Sequence, residues 1–356
     1  MIEIGGLMRS WRYCLDAAGV RESTLRADYT AAERFMRRRE TAGWGALRFL
    51  TPPEFLPHAV AGAALAYFTD DVCDRGDAEG RARRFEAWAT RVRTALDTGT
   101  ATHPLLRAYL HAARENGLPR DWADAYMAGT RAELTFPEFA DEAEYQSYVD
   151  TLTWPGAMLS TGMTPHLVSD EDFAASVRQF ADGFQRTDLV CDLAEDLSEG
   201  RLRLPRSDLD RYGVTRADLE SGRDTPGVRA LLAATVATAR AALDSGTRIV
   251  DEVPHEYRPL VRGVIDISHY RLDNACALGP SITRRAARDN PAVCVRLLVR
   301  ARRMAPPIRR ASSPHDPSGT VTAALSTPRP DSDVVVRTGS HPTVITAAAG
   351  PESTTR

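Results

Sequence analysis

Apolar residues recur every three or four positions through most of residues 20–300, and alanine, leucine, arginine and glutamate dominate that stretch. Alternating runs of β-branched residues are few. This periodicity and composition predict amphipathic helices and an all-α fold. Segments rich in proline, glycine and aspartate interrupt the pattern and predict the turns between helices. These segments lie at 51–57, 97–104, 116–119, 205–214, 221–227 and 251–259.

The composition changes near Met304 to proline, serine, threonine and arginine, with few large apolar residues to offset the entropy of ordering the chain. We predict an N-terminal extension at 1–25, one all-helical domain at 26–304 and a disordered tail at 305–356. The first residues lack an apolar signal core, and no stretch approaches the roughly 18 apolar residues of a membrane span. A cytoplasmic protein without stable membrane insertion is expected.

Charge and cysteine content exclude several classes of function. The 356 residues carry a formal net charge of −3, which does not indicate nucleic acid as a partner. All 45 basic side chains other than histidine are arginines, so lysine Schiff-base chemistry is excluded. Phosphate must then be bound by arginine, metal or backbone amides. The five cysteines form no CxxC pair, which argues against a disulfide framework or a zinc site.

Two acidic segments lie inside apolar helical sequence, where carboxylates are unusual. ALAYFTDDVCD carries Asp70 and Asp74, and FQRTDLVCDLAED carries Asp188, Asp192 and Asp196. Residues four apart share one face of a helix, so each segment predicts a stripe of repelling carboxylates. A solvated acidic face is the alternative for either segment alone. Two such stripes favour Mg²⁺, which binds carboxylates together with substrate phosphates.

The second segment and the turn that follows it carry a more specific pattern. It resembles the second aspartate-rich motif of the squalene and phytoene synthase family, and the resemblance extends over roughly residues 30–300. It implies a single-domain isoprenoid synthase bundle around a central cavity, faced by both motifs. The matching positions are Gln185, Thr187, Asp192, Glu195, Asp196, Gly200, Arg201, Leu204 and Pro205.

The resemblance also implies roles for individual residues. Mg²⁺ would neutralise a departing diphosphate, and apolar walls would shield the allylic cation from water. Two further helices are implied to contribute to the cavity, YVDTLTWPGAML at 148–159 and HYRLDNA beginning at His269. The implied catalytic metal ligands are Asp70, Asp74, Asp188, Asp192 and Asp196. The implied substrate-binding residues are Gln185, Arg201, Tyr67, Tyr148, Trp154 and Tyr270.

Several positions depart from the family pattern. Tyr67 stands where an arginine commonly precedes the first motif, Asp188 replaces an asparagine and Cys191 an arginine, while Arg203 replaces a tyrosine. The site would be about three charge units more negative, only partly restored by Arg203, which disfavours holding two diphosphates.

These departures predict transfer from one donor, between dimethylallyl and geranylgeranyl diphosphate, to a small carbazole- or indole-like aromatic acceptor in natural-product biosynthesis. Trp154, Tyr67, Phe68 or Tyr148 would pack against that acceptor. Ordinary core packing is the alternative for each of these rings.

Two other functions stay open. The chain can be a head-to-head synthase that condenses two prenyl diphosphates, with its arginines supplied from elsewhere, such as Arg271, Arg284 or Arg285. It can also be a non-catalytic homologue that binds a partner subunit. Retention of the motif aspartates argues against the latter, because an idle site has no need of repelling charges.

Overall fold

The computed structural model describes residues 9–74, 77–135 and 138–304, except for the side chains of Asp74 and Ala78. The described residues all lie in one compact unit, which falls within Met1–Pro307. The predicted disordered tail lies outside the described residues.

Capping residues set the helix boundaries in the first half of the chain. The Asp77 carboxylate accepts a hydrogen bond from the Gly80 amide (2.9 Å) at the start of one helix, and Gly99 ends that helix with φ +67°. The helices are α1 (Trp11–Ala17), α2 (Ser23–Arg39), α3 (Thr41–Leu50), α4 (Leu56–Asp74), α5 (Ala78–Thr98), α6 (Pro104–Glu115), α7 (Asp121–Glu133), α8 (Glu142–Tyr148) and α9 (Trp154–Thr161).

Similar capping residues mark the ends of the helices in the second half of the chain. The Ser169 hydroxyl accepts from the Asp172 amide (3.1 Å), and Gly213 ends a later helix with φ +63°. The helices are α10 (Asp170–Cys191), α11 (Leu193–Ser198), α12 (Arg206–Tyr212), α13 (Arg216–Glu220), α14 (Pro226–Ser245), α15 (Ile249–Glu252), α16 (Arg258–Leu278) and α17 (Pro291–Arg303).

The described part of the chain contains helices and no strand, which confirms the predicted all-α fold. A π-helical turn, Val149–Thr153, joins α8 to α9, and 3₁₀ turns lie at Gly246–Arg248 and Gly279–Thr283. The predicted breaks fall between helices or contain short ones. The helix expected to begin at His269 instead begins at Arg258, because Pro259 occupies its first turn, where a missing amide proton costs nothing.

The predicted boundary between residues 25 and 26 stays a prediction. Helix α1 and the start of α2 precede it, and both pack against α4 or its neighbours. Cys14, Leu15 and Val20 are buried in that packing. Part of the N-terminal extension therefore contributes to the helical core.

Helix α9 lies between the two helices that carry the acidic segments, since it packs against both α4 and α10. A glycine allows the close approach on the α4 side. A Cβ atom at Gly62 would lie 2.0 Å from the Leu159 carbonyl oxygen. Gly183 likewise allows α10 to approach α14 closely, since a Cβ atom there would lie 2.7 Å from the Leu243 Cα. These contacts fix where each acidic segment lies.

A buried polar cluster joins α2, α4 and α6 away from the acidic segments. His58 Nδ1 lies 2.9 Å from the Asn116 side-chain amide, and the Tyr29 hydroxyl lies 3.0 Å from His111 Nδ1. Burial, followed by the neighbouring His111, lowers the pKa of His58 to about 4. The His58 imidazole is therefore neutral in the folded protein near neutral pH.

We predict that Gly62→Ala destabilises the protein by about 2 kcal/mol or more, because the added methyl group overlaps the α9 backbone. Gly45→Ala is the matched control, since a Cβ atom there meets no atom within 4 Å and alanine favours the helix. Thermal and urea unfolding of both variants measures the difference. Equal stability of the two variants would contradict the close crossing.

We predict that folding stability falls as the pH drops from 6.5 towards 4. In that range the unfolded chain protonates His58 whereas the folded protein does not, so acid favours unfolding. The loss across the range is about 3 kcal/mol for this group. Urea unfolding at stepped pH should give a flatter profile for His58→Gln than for the wild type; identical profiles would show that His58 is not the group concerned.

Candidate active site

The first acidic segment ends α4, and its described carboxylates have partners on other helices. The Tyr126 hydroxyl of α7 donates a hydrogen bond to Asp70 Oδ1 (2.8 Å), and Arg39, the last residue of α2, pairs with Asp71 (2.6 Å). Burial, followed by the Asp70 charge, raises the pKa of Tyr126 well above its usual value. Tyr126 therefore stays a neutral donor that orients Asp70. The Asp74 side chain lies outside the described residues.

The opposite side of α4 is anchored in the aromatic core. The Thr69 hydroxyl accepts from the Trp88 indole N–H (2.9 Å) and donates to the Leu65 carbonyl oxygen (2.8 Å). The Phe68 ring packs 4.7 Å from the Trp88 ring and 5.0 Å from the His103 ring, between centroids. Phe68, predicted as one possible acceptor contact, thus takes part in core packing.

The second acidic segment is not one uninterrupted helix. Helix α10 ends at Cys191, Asp192 takes φ −97° and ψ 6°, and α11 begins at Leu193. The hydrogen-bond register nevertheless continues, from the Asp192 amide to the Asp188 carbonyl (2.8 Å) and from the Asp196 amide to the Asp192 carbonyl (2.9 Å). The three aspartates therefore remain one turn apart despite the break.

These carboxylates lie in surroundings that disfavour negative charge. Burial raises the pKa of Asp188, opposed by the nearby Arg271. Burial, followed by the negative charge of Asp188, raises the pKa of Asp192 to about 6, and Asp196 and Glu195 add to the increase. A carboxylate whose pKa is raised by neighbouring negative charges would be stabilised by a bound cation.

Tyr67 links the two acidic segments in space. The pKa of Tyr67 is raised to about 12, chiefly by burial and then by the negative charges of Glu40, Asp188 and Asp70. Its hydroxyl is thus close enough to feel both Asp70 of the first segment and Asp188 of the second. That the two segments face a common space stays a prediction. The Arg39 guanidinium carbon lies 5.8 Å from the centroid of the Tyr67 ring.

Arg271 of α16 bridges the carboxylates of the second segment. Its Nη1 lies 2.6 Å from Asp188 Oδ1, its Nη2 lies 3.7 Å from Asp192 Oδ1, and its Nε lies 4.0 Å from Asp289 Oδ2. Three carboxylates surround one guanidinium. The positive charge missing from position 191 is therefore supplied by a different helix.

Arg203 forms a second ionic cluster where the acidic segment turns back. Its guanidinium donates to the Tyr148 hydroxyl (3.0 Å) and pairs with Glu133 of α7 (3.0 Å), while Asp196 lies 4.0 Å away. The Tyr148 hydroxyl in turn donates to Glu133 (3.1 Å). Tyr148, predicted as a substrate contact, thus takes part in a half-buried polar network with Arg203 and Glu133.

The remaining predicted residues lie around these clusters. Gln185 accepts from the Thr153 hydroxyl (3.4 Å), and Arg201 pairs with Asp196 (3.2 Å). The Trp154 ring packs 5.0 Å from the Trp122 ring, and its buried indole nitrogen has no hydrogen-bond partner among the described residues. The Tyr270 hydroxyl accepts from the Asn290 amide (3.0 Å).

The donor set suits Mg²⁺ that is held jointly with a phosphate group. Among the described side chains, no group of three histidine, cysteine, aspartate or glutamate residues is close enough to hold a metal ion by itself. Mg²⁺ commonly takes only one or two protein carboxylates and completes its octahedron with water and substrate oxygens. Asp70 on one segment, with Asp188 and Asp192 on the other, match that requirement.

Sequence reasoning missed the side chains that come from distant helices. Arg39, Glu40, Tyr126 and Glu133 carry no motif of their own, and only the fold brings them to the acidic segments. Arg271 was identified only as one of three possible sources of positive charge. No helix within the described ranges combines the length and apolarity needed to cross a membrane.

Comparison with known proteins agrees with this geometry. Residues 46–290 match the family model described as squalene/phytoene synthase. The chain is 27% identical over 293 residues to the "Bifunctional protein CrtB/UppS" of Streptomyces coelicolor, covering 77% of this chain and 51% of that protein. It is 36% identical over 84 residues to the "Phytoene synthase" of Thermus thermophilus, covering 24% and 29% of the two chains. The chain thus spans about half the length of the first relative.

Solved structures share the fold. The squalene synthase HpnC of Alicyclobacillus acidocaldarius aligns with a TM-score of 0.65 at 24% identity, covering 74% of this chain and 98% of that one. A dehydrosqualene synthase in complex with ligand aligns with a TM-score of 0.70 at 15% identity, covering 78% and 96%. At these identities the likeness shows the fold.

We predict that Arg203→Met destabilises the protein by about 2 kcal/mol, because it leaves the Glu133 carboxylate without its half-buried cation, whereas Asp196 keeps Arg201 at 3.2 Å. Adding Glu133→Gln should recover part of that loss, so the double variant should be more stable than the sum of the single effects predicts. Arg131→Met removes a 2.6 Å but exposed pair with Glu86 and should cost no more than about 1 kcal/mol. Urea unfolding measures the stability of Arg203→Met, Glu133→Gln, their double variant and Arg131→Met. Additive effects of Arg203→Met and Glu133→Gln would contradict a coupled network.

Proposed function

The chain belongs to the squalene/phytoene synthase family, and on that premise we propose that it is a Mg²⁺-dependent prenyltransferase that ionises an allylic prenyl diphosphate between its two acidic segments. The observation that carries the proposal is that α9 packs against both α4 and α10, the helices that carry Asp70 and Asp188. Two carboxylate-bearing helices that face one space provide ligands on both sides of a diphosphate.

The residues have distinct roles in this proposal. Asp70, Asp188 and Asp192 would hold Mg²⁺ together with the diphosphate, and Asp74 and Asp196 are proposed as further ligands. When bound, Mg²⁺ would neutralise the charge that develops on the leaving diphosphate. Tyr126 keeps Asp70 oriented through its 2.8 Å hydrogen bond. Gln185 and Arg201 lie beside the second segment, where they would position the diphosphate.

The acceptor that the site supports best is a second prenyl diphosphate. The prediction of an uncharged acceptor rested on arginines missing at positions 67 and 191. Arg39 lies over the Tyr67 ring, and Arg271 lies 2.6 Å from Asp188, one turn from Cys191. Each missing cation therefore has a counterpart from another helix, so the charge objection to head-to-head condensation loses its force.

A small carbazole- or indole-like aromatic acceptor is the second candidate. Tyr67 favours it, because this aromatic ring projects near both acidic segments at a position where the family pattern has a cation. Such a ring can pack against an aromatic substrate or stabilise an allylic cation through its π face. Aromatic prenylation therefore stays a prediction, along with its place in natural-product biosynthesis.

The test incubates the protein and Mg²⁺ with dimethylallyl, geranyl, farnesyl and geranylgeranyl diphosphates, with and without carbazole or indole, and identifies products by mass. We expect a C20, C30 or C40 coupled product from one of the three longer donors without acceptor. Asp192→Asn should lower the rate by about a hundredfold or more, because it removes a charge that balances the metal. Asp210→Asn, an exposed aspartate on α12, is the matched control.

A prenylated aromatic formed only when acceptor is present would establish the second candidate instead. Unreacted diphosphates under every condition, with the protein folded, would contradict both candidates.

A further inference from the structure

The guanidinium of Arg271 lies between the carboxylates of Asp188 and Asp192 in the second acidic segment. The Arg271 guanidinium is within 2.6 Å of Asp188 and 3.7 Å of Asp192, and its third neighbour, Asp289, lies 4.0 Å away. Its side chain is only 22% exposed. The arrangement is thus an ion cluster with three negative groups and one positive group, in which Arg271 and Asp188 are half-buried and Asp192 is 51% exposed.

A guanidinium and a divalent cation compete for these carboxylates at close range. Mg²⁺ requires oxygen ligands at about 2.0–2.1 Å, and the Asp188 oxygen nearest the guanidinium already accepts its hydrogen bond. Two cations at one carboxylate pair repel each other, more strongly where water is partly excluded. Entry of Mg²⁺ at Asp188 and Asp192 therefore favours movement of Arg271 away from them.

A displaced Arg271 needs another anion, since a partly buried guanidinium without a partner is costly. Asp289 alone, at 4.0 Å, makes a weaker contact than the one lost at Asp188. A diphosphate beside the metal offers several anionic oxygens, and its planar recognition by a guanidinium is favourable. The binding of Mg²⁺ at the carboxylates and the binding of diphosphate by Arg271 would then favour each other.

We propose that Arg271 is a displaceable counter-ion: it holds Asp188 and Asp192 in the absence of ligands, and it transfers to the diphosphate when Mg²⁺ takes its place. This inference rests on the proposed function, because it concerns the diphosphate site of the same reaction. Arg271 then makes the binding of metal and diphosphate mutually dependent, and it disfavours metal binding without substrate.

The test measures binding of two simple probes by titration calorimetry, without any prenyl substrate. One probe is Mg²⁺ alone, and the other is inorganic pyrophosphate at saturating Mg²⁺. For Arg271→Gln we expect Mg²⁺ alone to bind about tenfold more tightly, and pyrophosphate to bind about tenfold more weakly. Arg271→Lys keeps the charge but not the planar fork, so both affinities should fall between those of Arg271→Gln and the wild type.

Arg240→Gln is the matched control, since Arg240 of α14 pairs at the surface with Asp273 of α16, the helix that carries Arg271, and its loss should change neither affinity. Thermal unfolding checks that each variant is folded. Changes of opposite sign for the two probes support the proposal. Changes of the same sign, no change, or tighter metal binding with unaltered pyrophosphate binding would overturn it.

These readouts separate the inference from the function on which it rests. A wild-type protein that turns over no prenyl diphosphate would defeat the proposed function. The affinities of Arg271→Gln for Mg²⁺ and pyrophosphate would still decide whether Arg271 exchanges partners.

Discussion

Carboxylates held close together and partly out of water need positive charge beside them, and much of this structure follows from that need. Asp188 and Asp192 lie one turn apart at the end of α10, where burial and mutual repulsion raise the pKa of Asp192 to about 6. Arg271 supplies a cation from α16, and Arg203 supplies another for Asp196 and Glu133. Without a metal, the protein balances its acidic segments with its own arginines.

Close helix packing makes that balance depend on the whole domain. The acidic segments belong to α4 and α10, and α9 packs against both. Gly62 allows α4 to approach the α9 backbone, and Gly183 allows α10 to approach α14. Tyr126 crosses from α7 to hold Asp70. The geometry of the candidate site is therefore set by backbone contacts that lie outside it.

The sequence was informative where the signal is local. Helical periodicity predicted the all-α fold, and the spacing of Asp188, Asp192 and Asp196 predicted three carboxylates in register. The break between α10 and α11 at Asp192 could not be predicted from the sequence. It is a small change in the dihedral angles of one residue, and the hydrogen-bond register continues across it.

The sources of positive charge were equally hidden. Arg39 and Arg271 reach the acidic segments from helices that are distant in sequence, so counting charges within the motifs missed the cations that other helices supply. The identity of the acceptor depended on that count. The absence of an arginine from a motif therefore does not establish that positive charge is absent from the site.

The central claim is that the site breaks the carbon–oxygen bond of an allylic diphosphate by ionisation. The most direct measurement compares Mg²⁺-dependent release of pyrophosphate from farnesyl diphosphate and from its analogue with a saturated first isoprene unit, at the same protein concentration. The account predicts release from the allylic compound alone, because only that compound gives a stabilised cation. Equal release from both compounds would indicate attack at phosphorus and would contradict the account.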